Sequence, residues 1–167
     1  MVTNSDSAHP AGTRERGARL PPRWFVVLFW HAHRALVRIT RGRWGLWRPK
    51  PDGWGVLRLT TTGRHTGQAR TVLVGYLRDG VNLTTMAMNG WGPGEPAWWL
   101  NLQAQPEAVV QTRDGARGVR ARRARGPERE RLWARWAEVD NNLDGYAARR
   151  PRETAVVILE PRDPDTT

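Results

Sequence analysis

The chain has 167 residues, enough for one hydrophobic core, and carries 27 Lys and Arg against 16 Asp and Glu, a formal net charge of +11. It contains no cysteine, which excludes disulfides, thiolate catalysis and zinc–thiolate sites, and its serines, Ser5 and Ser7, fall in a polar N-terminal stretch, far from any packed site for a serine nucleophile. All basic residues but Lys50 are arginine, the cation that grips phosphate and carboxylate with two parallel N–H groups, so the charge implies an anionic partner: phosphate, polycarboxylate, lipid headgroups or nucleic acid.

Residues 1–21 read as a flexible tail, polar over 1–19 and without the apolar run of a secretory leader, so a cytoplasmic location is expected. Pro21–Pro22 suits a helix start, and Trp24–Thr40 is the first expected helix. Its apolar run is broken by His31, His33, Arg34 and Arg38 and falls short of the roughly 20 apolar residues that span a bilayer. Packing on the core is the favoured expectation for it; peripheral contact with a membrane surface is the alternative. Arg41–Gly55, with three tryptophans and two prolines, is too punctuated for a regular element.

Strands follow. Val56–Thr61 alternates, Thr71–Arg78 is β-branched and aromatic, and Val81–Ala87 pairs with it across Asp79–Gly80. Pro96–Gln105 reads as a short helix, and Glu107–Thr112 with Gly118–Arg125 as a second hairpin across Arg113–Gly115. Pro127–Asp140 is an amphipathic helix with Leu132, Trp133, Trp136 and Val139 on one face, and Ala155–Leu159 is a wholly apolar last strand. The two Asp-Gly turns force antiparallel neighbours, so the expected fold is α+β, mainly β: about six antiparallel strands closed into a small barrel or curled sheet, flanked by helices. The domain is expected over residues 22–163, with a second tail at 164–167.

Two stretches carry candidate chemistry. Thr60–Arg70 (TTTGRHTGQAR) packs two glycines, two arginines, a histidine and four threonines into eleven residues. Gly63 and Gly67 can adopt positive φ and expose backbone N–H groups, and Arg64, His65 and Arg70 add charge, which together suit a phosphate. A basic turn with no ligand would have the same composition, and neither a P-loop nor a GxGxxG motif is present. In the second stretch, Met86–Gly90 ends a strand and Pro96–Leu102 (PAWWLNL) opens a helix. Adjacent tryptophans are not expected to face the core together, so one of Trp98 and Trp99 should line a cleft where a flat heteroaromatic could stack, while Asn101 bonds a ligand or the loop. The four histidines, at 9, 31, 33 and 65, do not form a metal-ligand pattern. No helix-turn-helix, RRM or finger signature accompanies the charge, so no nucleic-acid partner is expected.

LTTTGRHTGQAR, then LVGYLRDG, MAMNGWGPGEPAWWLNLQAQPEAVVQ and RRPRETAVVILEP resemble, in order and in spacing, the deazaflavin (coenzyme F420)-dependent nitroreductase and quinone reductase family, over roughly Trp24 to Pro161. The resemblance implies a split β-barrel that binds F420 and moves hydride between its deazaflavin ring and a small organic acceptor: a quinone, a nitroaromatic or another activated double bond. It implies Arg64, His65, Thr66, Gly67 and Arg70 at the cofactor's phosphate and glutamate-bearing tail. It further implies Met86, Ala87, Met88 and Asn89 under the cofactor, with Ala97, Trp98, Trp99, Leu100 and Asn101 beside it. Tyr146 is the candidate proton donor or substrate wall.

The chain departs from the family pattern in places. Met88-Asn89 stands where many relatives have Ser-Lys, and His65 where Lys is usual. Asp140 and Leu143 occupy positions where relatives often carry tyrosines, which leaves Tyr146 alone. The alternative reading keeps the fold and exchanges the ligand for FMN or a lipid-like molecule. Such barrels often pair, so a homodimer is compatible with this reading. With no cysteine, internal serine or metal cluster, the reactivity would have to come from a cofactor that the protein orients.

Overall fold

A computed structural model describes residues 45–51, 53–89 and 92–162. The expected helix over Trp24–Thr40 and the tails at 1–21 and 164–167 lie outside the described residues. Six strands, β1 (Gly55–Thr62), β2 (Ala69–Asp79), β3 (Asn82–Met86), β4 (Glu107–Thr112), β5 (Gly115–Arg123) and β6 (Val156–Pro161), form a closed antiparallel barrel in the order β1-β2-β3-β6-β5-β4. Three helices join them: α1 (Ala97–Ala104), α2 (Gly126–Val139) and α3 (Leu143–Ala148). Both expected hairpins are present, and β5 starts three residues earlier than the sequence suggests because Gly115 already pairs with Thr112. No helix among the described residues is long and apolar enough to cross a membrane.

The core sits on both faces of the sheet. Leu57 and Leu59 of β1, Val110 of β4, Val119 of β5, and Val157 and Leu159 of β6 belong to one buried cluster. Val156 and Ile158, the alternate residues of β6, pack with Leu132 and Trp136 of α2 and Leu143 of α3 in a second. That division explains the wholly apolar last strand: successive side chains point to opposite faces, and here both faces are covered. Ion pairs fix α2 to the barrel. Arg131 donates to both Asp79 carboxylate oxygens at 2.8 Å, and Arg135 donates to Asp79 Oδ1 at 2.8 Å. Arg122 of β5 joins Glu128 of α2 and Glu160 of β6 at 2.6 Å each.

The two adjacent tryptophans correct the sequence reading: Trp98 and Trp99 are both buried, at 7% and 6% exposure, in the same cluster. Helix α1 packs against β1, β2 and β5, which buries both rings. The two rings meet edge to face at 6.4 Å.

One strand pairing decides where a ligand could enter. Strand β2 pairs with β1 over eight residues, from Ala69 to Tyr76, but with β3 only at Leu77, Arg78 and Asp79. Beyond Leu77 the two strands part, and among the described residues the β3 side of β2 has no strand neighbour from Ala69 to Tyr76.

Candidate active site

The split between β2 and β3 opens into a cleft of about 750 Å³ that follows β2 from Arg70 to Gly75. This is within the size range of small-molecule sites. Arg64, His65, Thr66 and Arg70 line one end, all four exposed. Met86, Met88 and Asn89 come from the end of β3, and Ala97, Trp98 and Asn101 from α1. Trp54, Trp136, Asp140 and Tyr146 complete the lining. The basic turn and the tryptophan-bearing helix, some twenty residues apart in sequence, therefore share one cavity.

Asn101 ties these two parts together. It is buried, donates from Nδ2 to Thr61 Oγ1 at 3.1 Å, and accepts at Oδ1 from the Arg64 backbone N–H at 3.2 Å and from Arg64 Nη1 at 3.3 Å. Arg70 donates to Gln68 Oε1 at 3.3 Å and Thr66 Oγ1 at 3.5 Å. Among the described residues every partner of these two guanidiniums is neutral, so both keep their full charge for something else. Other arginines, among them Arg48, Arg78, Arg122, Arg123, Arg129, Arg131, Arg135 and Arg162, pair with carboxylates; Arg64 and Arg70 are the two described arginines on the cleft lining, and neither does.

The turn is not the nest of free N–H groups that its glycines suggest. Gly67 has the positive φ, at 67°, and donates to Gly63 O at 2.7 Å. Gly63 N–H goes to Gln68 O at 2.8 Å, Thr66 N–H to Gly63 O at 3.2 Å, and Gln68 N–H to Thr66 Oγ1 at 3.4 Å. With Arg64 N–H held by Asn101, those donors are spent on the turn itself. Anion recognition here falls to side chains.

Four of the expected residues do not line the cleft. Gly67 shapes the turn. Ala87 is fully buried, and its backbone joins Ala155 O and the Arg150 guanidinium. Trp99 and Leu100 turn to the opposite side of α1 and border a second, polar hollow with Glu95, Gln103 and Arg125. The helical period accounts for this: 97, 98 and 101 share one face, and 99, 100 and 103 lie about half a turn away.

The far end of the cleft holds residues that sequence reasoning placed elsewhere. Trp54 was part of an irregular loop, and Trp136 one of several apolar residues on a helix face. A Cβ built on Gly75 would lie 3.3 Å from Trp54 Cε3 and 3.8 Å from Trp136 Cη2, so both rings close over a strand position without a side chain. Only the isolated Gly75 within a β-branched strand could have signalled that close approach. Burial, and then the charge of Asp140, push the Tyr146 phenol above its ordinary value, so it is protonated at neutral pH.

Arg150 is a further residue that sequence reasoning did not single out: it lies in RRPRETAVVILEP, which carried the family resemblance without giving this arginine a role. It is 7% exposed and donates from Nη1 to Ala87 O at 2.7 Å and Thr154 Oγ1 at 2.9 Å, and from Nη2 to Gly94 O at 3.3 Å. It thereby fastens the end of β3 to the segment entering α1 and the segment entering β6.

A family model for F420H(2)-dependent quinone reductases matches residues 31–161. The chain belongs to this family. It is 35% identical over 133 residues to an F420H(2)-dependent quinone reductase of Mycobacterium tuberculosis strain H37Rv, covering 78% of this chain and 88% of that one. Among solved structures, an F420-H2 dependent reductase (FDR-A) superposes with a TM-score of 0.58 at 29% identity, covering 63% of this chain and 93% of that one. Another, described as a domain-swapped dimer, gives 0.62 at 28% identity, covering 81% and 98%. The barrel is thus the split β-barrel of the F420H(2)-dependent reductases, and the protein is an F420-dependent oxidoreductase. The substitutions Met88-Asn89 and His65 sit on the lining of the cleft.

Proposed function

We propose that this reductase transfers hydride from reduced F420 to quinones, with the cleft along β2 holding both partners. The observation that carries the reading is the pairing of two guanidiniums without carboxylate partners, Arg64 and Arg70, with an aromatic far end in one cavity. The residues fit the cofactor: cations for an acidic tail at one end, and methionines and a tryptophan for a flat ring between. F420, when bound, supplies the hydride that the chain's own side chains cannot. In this reading Arg64 and Arg70 hold the phosphate and carboxylates, with His65 and Thr66 beside them. Met86, Met88, Asn89, Ala97 and Trp98 support the ring, Asn101 on the lining aims Arg64, and Gly67, Ala87, Trp99 and Leu100 stand behind the lining and fix the turn, the strand end and α1.

Trp54 and Trp136 form the walls for a planar acceptor. Reduction of a quinone to a quinol needs one hydride and one proton. Tyr146, protonated at neutral pH, lines the same end and is positioned to donate that proton or hydrogen-bond the quinone oxygen. A pair of such chains, suggested by the domain-swapped relative, is the expected assembly, checked by light scattering on the full chain.

The test follows F420H2 oxidation with 2-methyl-1,4-naphthoquinone in the wild type and in Arg64→Ala. The wild type should turn over well above the uncatalysed background, and Arg64→Ala should raise the KM for F420H2 about tenfold or more, since a charge-assisted bond contributes about 1.5–3 kcal/mol. Background rates with the wild type would overturn the reading.

A further inference from the structure

The two ends of the cleft carry opposite charge. Arg70 and Gly75 are five residues apart on β2, about 17 Å at roughly 3.4 Å per residue, which exceeds the screening length of about 8 Å at physiological salt. The guanidiniums at one end therefore do little to neutralise a carboxylate at the other, and Asp140 is that carboxylate.

Asp140 follows α2 directly, and its N–H bonds Trp136 O at 2.9 Å, so it sits one turn beyond the ring that closes over Gly75. It is half-buried in the cleft lining beside Tyr146. Among the described carboxylates, Asp79, Asp114, Glu107, Glu128, Glu153 and Glu160 pair with arginine, whereas Glu95, Glu130, Glu138, Asp140 and Asp144 make no ion pair, and of these five it is Asp140 that lines the cleft. Asp140 makes no ion pair among the described residues. Its Oδ1 accepts the Asn142 backbone N–H at 3.1 Å, a neutral contact that leaves the negative charge in place. Arg149, whose charge is felt at Tyr146, is exposed, stands outside the lining and makes no ion pair with Asp140.

We infer that Asp140 makes the acceptor end of the cleft select by charge, admitting neutral and cationic acceptors and rejecting anionic ones. The inference rests on the quinone-reducing reading and adds a property which that reading does not require. A fixed carboxylate in a cavity walled by two indole rings repels an anion more strongly than the same charge would in open water, because the low-dielectric walls focus its field. The overall positive charge of the protein draws anions toward the surface, so discrimination against them has to be local. The same polarity fixes the direction in which an acid-tailed cofactor enters: tail toward Arg64 and Arg70, never toward Asp140.

The experiment compares kcat/KM, at saturating F420H2, for 2-methyl-1,4-naphthoquinone and a ring-sulfonated naphthoquinone in the wild type, Asp140→Asn and Asp140→Ser. Asn and Ser both keep an oxygen for the Asn142 N–H, so the local turn survives. The ratio of neutral to sulfonated kcat/KM should fall about tenfold in both variants, equivalent to about 1.4 kcal/mol. An unchanged ratio, or an equal loss for both quinones, overturns the inference while leaving quinone reduction standing. Failure of the wild type to reduce either quinone instead removes the reading on which it rests.

A second measurement needs no variant. As competitors against the neutral quinone, naphthalene-2-sulfonate should inhibit the wild type at least tenfold more weakly than 2-naphthol. Equal inhibition would also overturn charge selection.

Discussion

Asn101→Ala separates the role of the turn from that of its charges. The substitution removes three hydrogen bonds: the one that Asn101 donates to Thr61 Oγ1, and the two that its Oδ1 accepts from Arg64. Thr61 keeps a hydroxyl bond to Arg70 O at 3.4 Å, and Arg64 is exposed, so water can take over part of what is lost. The stability loss should therefore be about 1–2 kcal/mol, below three full bonds at about 1 kcal/mol each. At about 2–4 °C per kcal/mol, the melting temperature should fall by about 2–8 °C. Arg64 keeps its charge but loses the contacts that aim it, so F420 affinity should weaken about threefold, short of the Arg64→Ala effect. The assays are thermal melting and fluorescence titration with F420. In an Arg64→Ala background, Asn101→Ala should weaken F420 binding less than in the wild type, because the part of its effect that passes through the Arg64 guanidinium is already lost. Additive losses in the double variant, or unchanged affinity in a destabilised Asn101→Ala, would refute this account.

Other expectations follow from the geometry. Arg150→Met should cost about 3 kcal/mol in denaturant unfolding, because it leaves the buried Ala87 carbonyl and Thr154 hydroxyl without their cation, with the more exposed Gly94 carbonyl losing its donor too; a loss under 1 kcal/mol would contradict the clamp. Gly75→Val should push Trp54 and Trp136 aside, lowering kcat/KM for the neutral quinone several-fold with less change in F420 affinity. The hydrogen bonds from Arg131 hold the Asp79 carboxyl below the usual carboxylate range, so its contribution to stability is complete above that range and is lost as pH falls below it. Because the arginine partners are largely exposed, the effect should be about 1 kcal/mol or less, and the difference in melting temperature between wild type and Asp79→Asn should shrink on acidification from pH 5 to pH 2.

The barrel was legible because each of its signals is local. Asp79-Gly80 and Asp114-Gly115 mark hairpins, alternation marks β1, and the 3.6-residue spacing of Leu132, Trp136 and Val139 marks α2. Helix α3 was missed because Leu143–Ala148 is six residues long with Gly145 inside it, too short for a periodic pattern. The turn and α1 were both recognisable as unusual, yet their meeting through Asn101 depends on a contact 37 residues apart, and no spacing rule reports such a contact. The same limit hid Arg150, whose neighbours in sequence are solvated and whose neighbours in space are not. Trp98 lines the cleft, as one of the two tryptophans was expected to; what facing rules missed is that both rings are also buried, because α1 packs against β1, β2 and β5.

The parting of β2 from β3 leaves a stretch of main chain with its amides and carbonyls facing a cavity instead of a neighbouring ladder. The alternate amides of this stretch that point away from β1 should exchange their hydrogens faster than those bonded to β1, and a ligand lying along them should slow that exchange. An unmet ladder is also an invitation to a foreign strand. Occupancy of the cleft should therefore do more than enable turnover: it should make the protein less prone to self-association on storage, a benefit that outlasts any single catalytic cycle.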